Sequence, residues 1–304
     1  MPLLEVCAAE NTPKNTGVVC EASMLAPAMI IAVDPSLTWT AEDLADFYEY
    51  CITQIHAKKM FPLIGSIKGL AASDENDVTQ TFDNGAQVFV RSGVYNWLLS
   101  TNTGGNCLAA ALASFNGRRF SFIEIDIDGK VCFRANADGT FSGLRPNEMY
   151  SPKPTKATFT TVNMNNLFIS VTPKEYIENS KILKQDGEDL TGLKGLIDAV
   201  LIQGTVPNTQ TSIALGLVAE CSKKDLIAGR TGLGAIANYI IKKADGTTVT
   251  PTAPATVGVN IVFTIPSQTA GSVLTVQGVS PSALLANNVE GIEIVNILSV
   301  TIPE

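Results

Sequence analysis

The C-terminal third of the sequence constrains the fold most strongly, because it consists of short strand-like segments separated by turn residues. From about Gly204 onward, Thr, Val, Ile, Gly and Pro dominate and aromatic residues are scarce. Short strands at intervals of roughly ten residues are typical of a β-sandwich. The predicted strands are 213–219, 236–242, 247–250, 259–265, 272–276 and 292–302. We therefore predict a β-sandwich domain over residues 204–304.

Residues 1–200 carry both helical and strand patterns. Thr40, with an aspartate three residues later, is close to a capping box, and the apolar residues that follow recur at the helical period. This pattern predicts a helix over 41–58, and an Ala- and Leu-rich segment predicts a second helix over 106–115. We predict an α+β N-terminal domain that ends in a boundary region near residues 185–207.

The most regular strand pattern lies inside this N-terminal domain. Apolar and polar residues alternate from Phe120 to Ile127, and two Asp-Gly pairs, at 128–129 and 138–139, follow as hairpin turns. These features predict a β-meander over 120–143. Further strands are predicted at 88–90, 93–98, 158–163 and 166–171, and a short helix at 175–183. The predicted fold class is mainly β with a few helices.

Composition and charge exclude several classes of function. Hydrophobic residues make up 45% of the chain and charged residues 16%, which excludes intrinsic disorder. The formal net charge is −8 and the basic residues are scattered, so specific nucleic-acid binding is not expected. The single histidine, His56, excludes multi-histidine metal sites. The longest apolar run, Met24 to Val33, is shorter than the ~20 residues that span a bilayer, so no membrane partner is expected.

The cysteines show no C-x-x-C spacing, and each lies in an apolar stretch of sequence. They are Cys7, Cys20, Cys51, Cys107, Cys132 and Cys221. A chain of this length does not need disulfides to fold, so we predict buried, reduced thiols. The first residues lack the basic and apolar regions of a secretory signal, which favours a soluble protein kept in a reducing cytoplasm.

Two short motifs resemble ligand-binding signatures but fail in detail. Residues 232–237 (GLGAIA) match the dinucleotide fingerprint, yet strand-like residues and no helix follow them, which favours a glycine-rich loop. Residues 126–129 (DIDG) resemble the start of a calcium loop, but Lys130 occupies the third ligand position. A hairpin turn is the better interpretation of this second motif.

No residue set supports catalysis. His56 and Cys51 are five residues apart on the predicted helix and point away from each other, so we interpret His56 as structural. Asp74, Glu75 and Asp77 are interpreted as a solvated loop. We predict no catalytic, cofactor-binding or metal-binding residues, no cofactor, and no enzymatic activity.

One resemblance rests on the layout of the N-terminal domain. Segment 83–95 (DNGAQVFVRSGVY) joins two strands, and a short helix ending in 113–118 (ASFNGR) precedes strand 120–127 with its Asp-Gly hairpin. This layout resembles structural proteins of tailed bacteriophages, in particular tail-tube-like virion proteins of phages that infect Bacteroidetes. The resemblance implies an immunoglobulin-like module over 204–304 and a tail tube (major tail) subunit as the function. The long N-terminal segment and helix 41–58 depart from simple tube proteins, so a head or neck component is the alternative.

The resemblance also implies partners and a location. The partners are copies of the same chain in a ring or tube, six-fold by analogy with tube proteins, and other virion proteins. The location is the virion, assembled in the host cytoplasm, with the meander 120–143 in the inner sheet. The low charge content independently favours burial against copies of the same chain, and the charge of −8 would keep DNA phosphates from adhering to a lumen.

Two other classes of function stay open. The sandwich would suit an adhesin-like binding module at a cell surface. An enzyme would require a cluster of carboxylates with perturbed pKa values inside a deep pocket.

Overall fold

The structure, a computed structural model, describes residues 3–5, 23–160, 162–184, 189–228 and 230–304. Strands make up 40% and helices 15% of the chain. This content confirms the predicted mainly β fold class with a few helices.

The chain divides into two compact units, Met1–Leu193 and Lys194–Glu304. This division lies within the predicted boundary region 185–207. Each unit has a hydrophobic core made of its own residues. We therefore describe the two units separately.

The described residues of the first unit form thirteen strands and two α-helices. In chain order these are β1 (Leu3–Glu5), β2 (Pro27–Val33), α1 (Phe47–His56), β3 (Met60–Gly65), β4 (Gly69–Ala72), β5 (Val78–Thr81), β6 (Gln87–Arg91), β7 (Tyr95–Thr101), α2 (Gly105–Ala113), β8 (Ser121–Asp126), β9 (Val131–Ala135), β10 (Phe141–Ser142), β11 (Glu148–Tyr150), β12 (Asn165–Val171) and β13 (Ser180–Lys184). Short 3-10 helices span Asp43–Asp46 and Leu190–Gly192, and a π-helical turn spans Lys174–Glu178.

Two antiparallel sheets pack face to face in this unit. The larger has the strand order β1-β13-β9-β8-β2-β3, with β10 paired to β9, and the smaller has the order β11-β12-β7-β4. Phe122 and Cys132 of the larger sheet share one core with Leu99 and Leu167 of the smaller sheet. β5 and β6 form a separate two-stranded hairpin.

Helix α1 covers the other face of the larger sheet. Phe47 of α1 and Phe133 of β9 have ring centroids 6.0 Å apart, and the ring of Trp39 contacts both. All six residues of β8 are buried, including its polar ones, because both faces of the sheet are covered. The predicted meander 120–143 therefore begins with a strand that lies inside the first unit, while its expected place in the inner sheet of a tube stays a prediction.

Most of the elements predicted for the first unit are confirmed, with shifted ends. Helix 41–58 is the 3-10 helix followed by α1, and helix 106–115 is α2. The predicted strands 88–90, 93–98 and 166–171 correspond to β6, β7 and β12, and the meander 120–143 corresponds to β8, β9 and β10.

Two predictions for this unit are wrong. The described residues of 158–163 form no strand, because no neighbouring strand is there to pair with them; the nearest pairing is one isolated bridge between Thr155 and Met164. Residues 175–183 form the π-helical turn and β13 where a helix was predicted. Here pairing with β9 overrides the local helical preference.

The second unit contains eight strands and one α-helix among its described residues. In chain order these are β14 (Ile197–Gln203), β15 (Ser212–Ala219), β16 (Tyr239–Lys243), β17 (Ala253–Val257), β18 (Asn260–Thr264), β19 (Val273–Gly278), α3 (Pro281–Ala286), β20 (Ile292–Ile294) and β21 (Ile297–Thr301). A 3-10 helix, Ile236–Asn238, leads into β16. The prediction of a strand over 247–250 is wrong, because only a single bridge, between Lys242 and Thr248, forms there.

The strand order of this unit is that of an immunoglobulin domain. One sheet has the order β17-β18-β15-β14-β20 and the other β16-β19-β21. If β14 to β19 and β21 are lettered A to G, the sheets contain strands D-E-B-A and C-F-G, the constant-type arrangement. The additional β20 runs parallel to β14. This topology confirms the immunoglobulin-like β-sandwich and shows that its first strand lies before residue 204.

The core of the sandwich contains side chains from both sheets. The rings of Tyr239, on β16, and Phe263, on β18, have centroids 5.3 Å apart. Leu215 and Leu274, on opposite sheets, are both fully buried in the same cluster. The two sheets therefore stabilise each other through one continuous apolar layer.

The cysteine prediction holds for two residues and fails for two others. Cys51 and Cys132 are free and buried, and burial raises the pKa of both thiols well above the usual range. Cys107 and Cys221 are exposed, and each is disulfide-bonded. The apolar sequence around Cys107 misled the prediction, because α2 buries only Leu112 fully. Cys7 and Cys20 lie outside the described residues.

Candidate assembly interface

An exposed two-stranded arm extends from the first unit. We define the arm as residues 73–93, which comprise β5, β6 and the segments that join them to β4 and β7. Among the described residues, β5 and β6 pair only with each other. Every residue from 70 to 92 is exposed, so the core of the unit does not cover the arm.

The arm carries much apolar surface. Phe89 is 57% exposed, Val90 55%, Val88 50% and Phe82, near the tip, 47%. Because successive side chains of a strand point to opposite faces, Val88 and Phe89 place apolar surface on both faces of the arm. Contiguous exposed apolar surface marks interaction sites in soluble proteins.

The local sequence determines the turn at the tip of the arm. Gly85 has φ +80°, in the left-handed region that glycine adopts without strain. The side chain of Asn84 accepts a hydrogen bond from the backbone N–H of Ala86 (3.0 Å), and Gly85 N–H donates to the carbonyl of Phe82 (2.8 Å). The turn therefore forms from its own residues, although an isolated two-stranded hairpin is only marginally stable in water.

Two hydrogen bonds join the two chain segments at the base of the arm and limit its movement. Gly93 N–H donates to Oδ1 of Asp77 (2.9 Å), and Asn96 N–H donates to Oδ1 of Asp74 (3.0 Å). The chain segments approach so closely that a Cβ at Gly93 would lie 1.8 Å from the carbonyl oxygen of Glu75. The predicted loop at Asp74, Glu75 and Asp77 is exposed, and two of its carboxylates also fix the base of the arm.

A second exposed apolar element lies between β11 and β12. Phe159 is 110% exposed, more than any other large hydrophobic residue in the described part of the chain, and Val162 is 57% exposed. This element coincides with the segment that was predicted as a strand but has no strand to pair with. A partner that supplied such a strand would cover both side chains.

Open sheet edges complete the candidate interface. Among the described residues, β3, β4 and β11 each pair with a single neighbouring strand. Such edges present unpaired backbone donors and acceptors that bind an additional strand from another chain. The first unit therefore has both the exposed arm and open sheet edges that could pair with a strand from another chain.

Two buried acids lie inside the first unit and are fully engaged there. Oε2 of Glu175 contacts the guanidinium of Arg134, and its Oε1 accepts the backbone N–H of Arg145 (2.9 Å). Glu124 accepts a hydrogen bond from the hydroxyl of Tyr176 (2.8 Å), and burial raises the pKa of Glu124 to about 7. Both acids join the π-helical turn to the larger sheet, which is a structural role.

The structure also places the residues that resemble ligand-binding motifs. Oδ1 of Asp126 accepts the backbone N–H groups of Asp128 and Lys130, both at 2.9 Å, so this carboxylate closes the β8–β9 hairpin. Gly232, with φ +85°, lies in a loop that leads to a short 3-10 helix and β16. Neither motif has the geometry of the site that it resembles.

His56 is buried at the end of α1. Its Nδ1 lies 2.8 Å from the carbonyl oxygen of Ile52, one turn earlier in the helix. Cys51 is fully buried on the same helix, and its pKa is raised by burial, so it is a poor nucleophile. These contacts are those of a helix end packed against a core.

In the described ranges, no three His, Cys, Asp or Glu side chains converge as a metal-binding group. No helix within those ranges has the length and apolar character needed to cross a membrane. Comparison with protein-family models finds no match for this chain, and comparison with curated protein sequences finds none either.

Proposed function

We propose that this chain is a structural subunit that assembles with copies of itself, with the arm as its principal contact. We further propose that the assembly is the tail tube of a tailed bacteriophage. The observation that carries the first proposal is the exposure of residues 73–92 of the arm, on both of its faces.

The energetic argument concerns four side chains of the arm. Burying a Val or Phe side chain fully is worth about 1.5–3 kcal/mol. Phe82, Val88, Phe89 and Val90 are each about half exposed. Covering them would therefore contribute on the order of 5 kcal/mol per arm, before the cost of association. In a closed ring, every subunit would gain this contribution.

A second copy of the chain is the partner that fits the arm. The same unit that carries the arm also carries open edges at β3, β4 and β11. A strand of the arm could therefore pair with the free backbone groups of an edge on the next copy. A contact between an arm on one copy and an edge on the next is heterologous, and heterologous contacts generate rings or filaments. The low fraction of charged residues, 16%, suits extensive burial between copies.

The tail-tube proposal adds two arguments. The layout of a sheet-rich unit followed by an immunoglobulin-like sandwich agrees with the resemblance to tube-like virion proteins. The formal net charge of −8 would weaken adhesion of DNA phosphates during passage through a tube. By the same resemblance, the meander 120–143 would lie in the inner sheet of the tube, although its strand β8 is already buried within the subunit.

Size-exclusion chromatography with light scattering, followed by negative-stain imaging of the full chain, tests the proposal. We expect rings or tubes for the unmodified protein. A variant with Val88→Ser, Phe89→Ser and Val90→Ser is expected to stay monomeric with an unchanged circular dichroism spectrum, because these exposed residues do not support the core. Ile297→Ser, at a position 64% exposed on the second unit, is the matched control and should assemble normally.

The possible results separate the two proposals. Closed dimers or other compact oligomers that require the arm would support self-assembly and contradict the tube. A monomer at every concentration, or unaffected assembly of the arm variant, would contradict the arm as the contact. A monomer that binds a cell-surface ligand through the sandwich would favour the adhesin-like alternative.

A further inference from the structure

The first unit contains a cavity of about 560 Å³ between two chain segments. One wall consists of residues 117–121, between α2 and β8, and the other of residues 142–150, which lead into and include β11. This volume falls in the range of small-molecule binding sites. The cavity is separate from the arm.

The cavity concentrates positive charge in an acidic protein. Its lining includes Arg118, Arg119 and Arg145, three of the six arginines in the chain, and a single carboxylate, Glu148. The chain as a whole carries a formal charge of −8. The residues that line the cavity therefore carry a net charge of +2, whereas the chain as a whole is negatively charged.

The three arginine side chains have no partner within the described part of the chain. Arg134 pairs with Glu175 and Arg91 lies 3.7 Å from Glu75, but none of the three arginines that line the cavity has such a contact with a described residue. A guanidinium presents planar donors that match phosphate and carboxylate groups bidentately. Three of them around one cavity thus leave unused binding capacity for anions.

The walls of the cavity are held in place before any ligand binds. The side chain of Asn116 accepts the backbone N–H of Ser151 (2.7 Å) and donates to its carbonyl (3.0 Å). On the opposite side, Phe122 and Leu144 exchange two backbone hydrogen bonds of 2.9 and 2.7 Å. These hydrogen bonds join the two segments that line the cavity at both of their ends. The backbone that carries the arginines is therefore fixed before a ligand binds, which reduces the entropic cost of binding.

The lining also contains apolar surface beside the charges. Phe120 and Tyr150 both contribute to it, and Tyr150 is 40% exposed. An apolar wall next to cationic groups favours an organic anion of some size over a single small ion. We propose that this cavity binds a small molecule that carries two or more phosphate or carboxylate groups.

Isothermal titration calorimetry on the full chain tests this proposal with two probes, sodium pyrophosphate and sodium citrate, at matched ionic strength. We expect saturable binding of at least one probe, weakened by added salt. The probe that binds more tightly distinguishes phosphate from carboxylate groups as the preferred chemistry. In the variant with Arg118→Gln, Arg119→Gln and Arg145→Gln, the affinity should fall by more than about tenfold.

Arg230→Gln is the matched control, since Arg230 lies in the second unit, outside both the cavity and the arm, and the affinity of this variant should equal that of the unmodified protein. Equal binding to the triple variant, or no binding of either probe, would overturn the proposal. Loss of assembly in the triple variant without anion binding would also overturn it, and would assign the arginines to a contact between copies. The arm variant should bind the probes normally, so this site and the proposed assembly can fail independently.

Discussion

Tyr176 donates a hydrogen bond to Oε2 of Glu124 across 2.8 Å, and this contact joins the π-helical turn to the centre of β8. Glu124 is 4% exposed, and its burial raises the pKa of the carboxyl to about 7. The hydrogen bond from Tyr176 lowers the same pKa, and the nearby Asp126 raises it further. The ring of Tyr176 also packs against Trp97, with centroids 4.8 Å apart. The pair therefore couples a titratable group to the packing between the two sheets.

We expect the stability of the first unit to fall as the pH rises from about 4.5 to about 7. In this window the folded state keeps the Glu124 proton while the unfolded chain, with the ordinary pKa of 4.5, releases it. Glu124→Gln mimics the protonated form, so it should flatten this dependence and stabilise the unit at pH 8 by up to about 3 kcal/mol. Urea unfolding followed by tryptophan fluorescence measures this unit alone, because both tryptophans, Trp39 and Trp97, lie in it.

The control for this prediction is Glu178→Gln, at an exposed glutamate of the same turn. It should leave the slope of stability against pH unchanged. If Glu124→Gln destabilised the unit at pH 8, the carboxylate would be a stabilising charge and our account of its burial would be wrong.

Asn296 lies between β20 and β21, and its side chain pairs with the backbone of Leu201 on β14. Its side-chain oxygen accepts the N–H of Leu201 (2.7 Å) and its side-chain nitrogen donates to the carbonyl (2.9 Å). Asn296→Ala leaves both backbone groups without these partners and should destabilise the second unit by about 2 kcal/mol. Differential scanning calorimetry should show this loss, whereas tryptophan fluorescence of the first unit should not change. Ser299→Ala, an exposed change on the adjacent strand, should be neutral; equal losses for both variants would refute the pairing role.

Gly93→Ala should loosen the base of the arm. The new methyl group would meet the carbonyl oxygen of Glu75 at 1.8 Å, so the segments must separate, at a cost of about 1–3 kcal/mol. We expect faster tryptic cleavage after Arg91 and weaker assembly. Gly192→Ala is the matched control, because no heavy atom beyond the adjacent residues lies within 4 Å of the position of its Cβ. Identical cleavage rates in the two variants would show that the base does not hold the arm.

The parts of the fold that could be predicted are those that local sequence determines. The Asp-Gly turn at 128–129 and helix α1 depend on residues close together in the chain, and the structure confirms both. β13 could not be predicted, because it pairs with β9, which lies far from it in sequence. Its local residues read equally well as a helix, and only the long-range pairing decides between the two.

The candidate interface shows the same limit more clearly. The sequence of β6, Gln-Val-Phe-Val-Arg, has the composition of a buried strand, and only the structure shows that all of it is exposed. Conversely, the acid at position 124 alternates with apolar neighbours as if it faced solvent, yet it is buried against a tyrosine 52 residues away. Exposure and burial depend on which layers cover a strand, and a single sequence does not contain that information.

Hydrogen–deuterium exchange of the arm amides, over a range of protein concentrations, tests the central claim most directly. In an isolated subunit the amides of residues 78–91 should exchange rapidly, because an uncovered hairpin opens easily. We predict that their protection rises with concentration, in step with assembly, while protection in the immunoglobulin-like core stays constant. Rapid exchange of the arm in fully assembled particles would contradict the claim that another copy covers it.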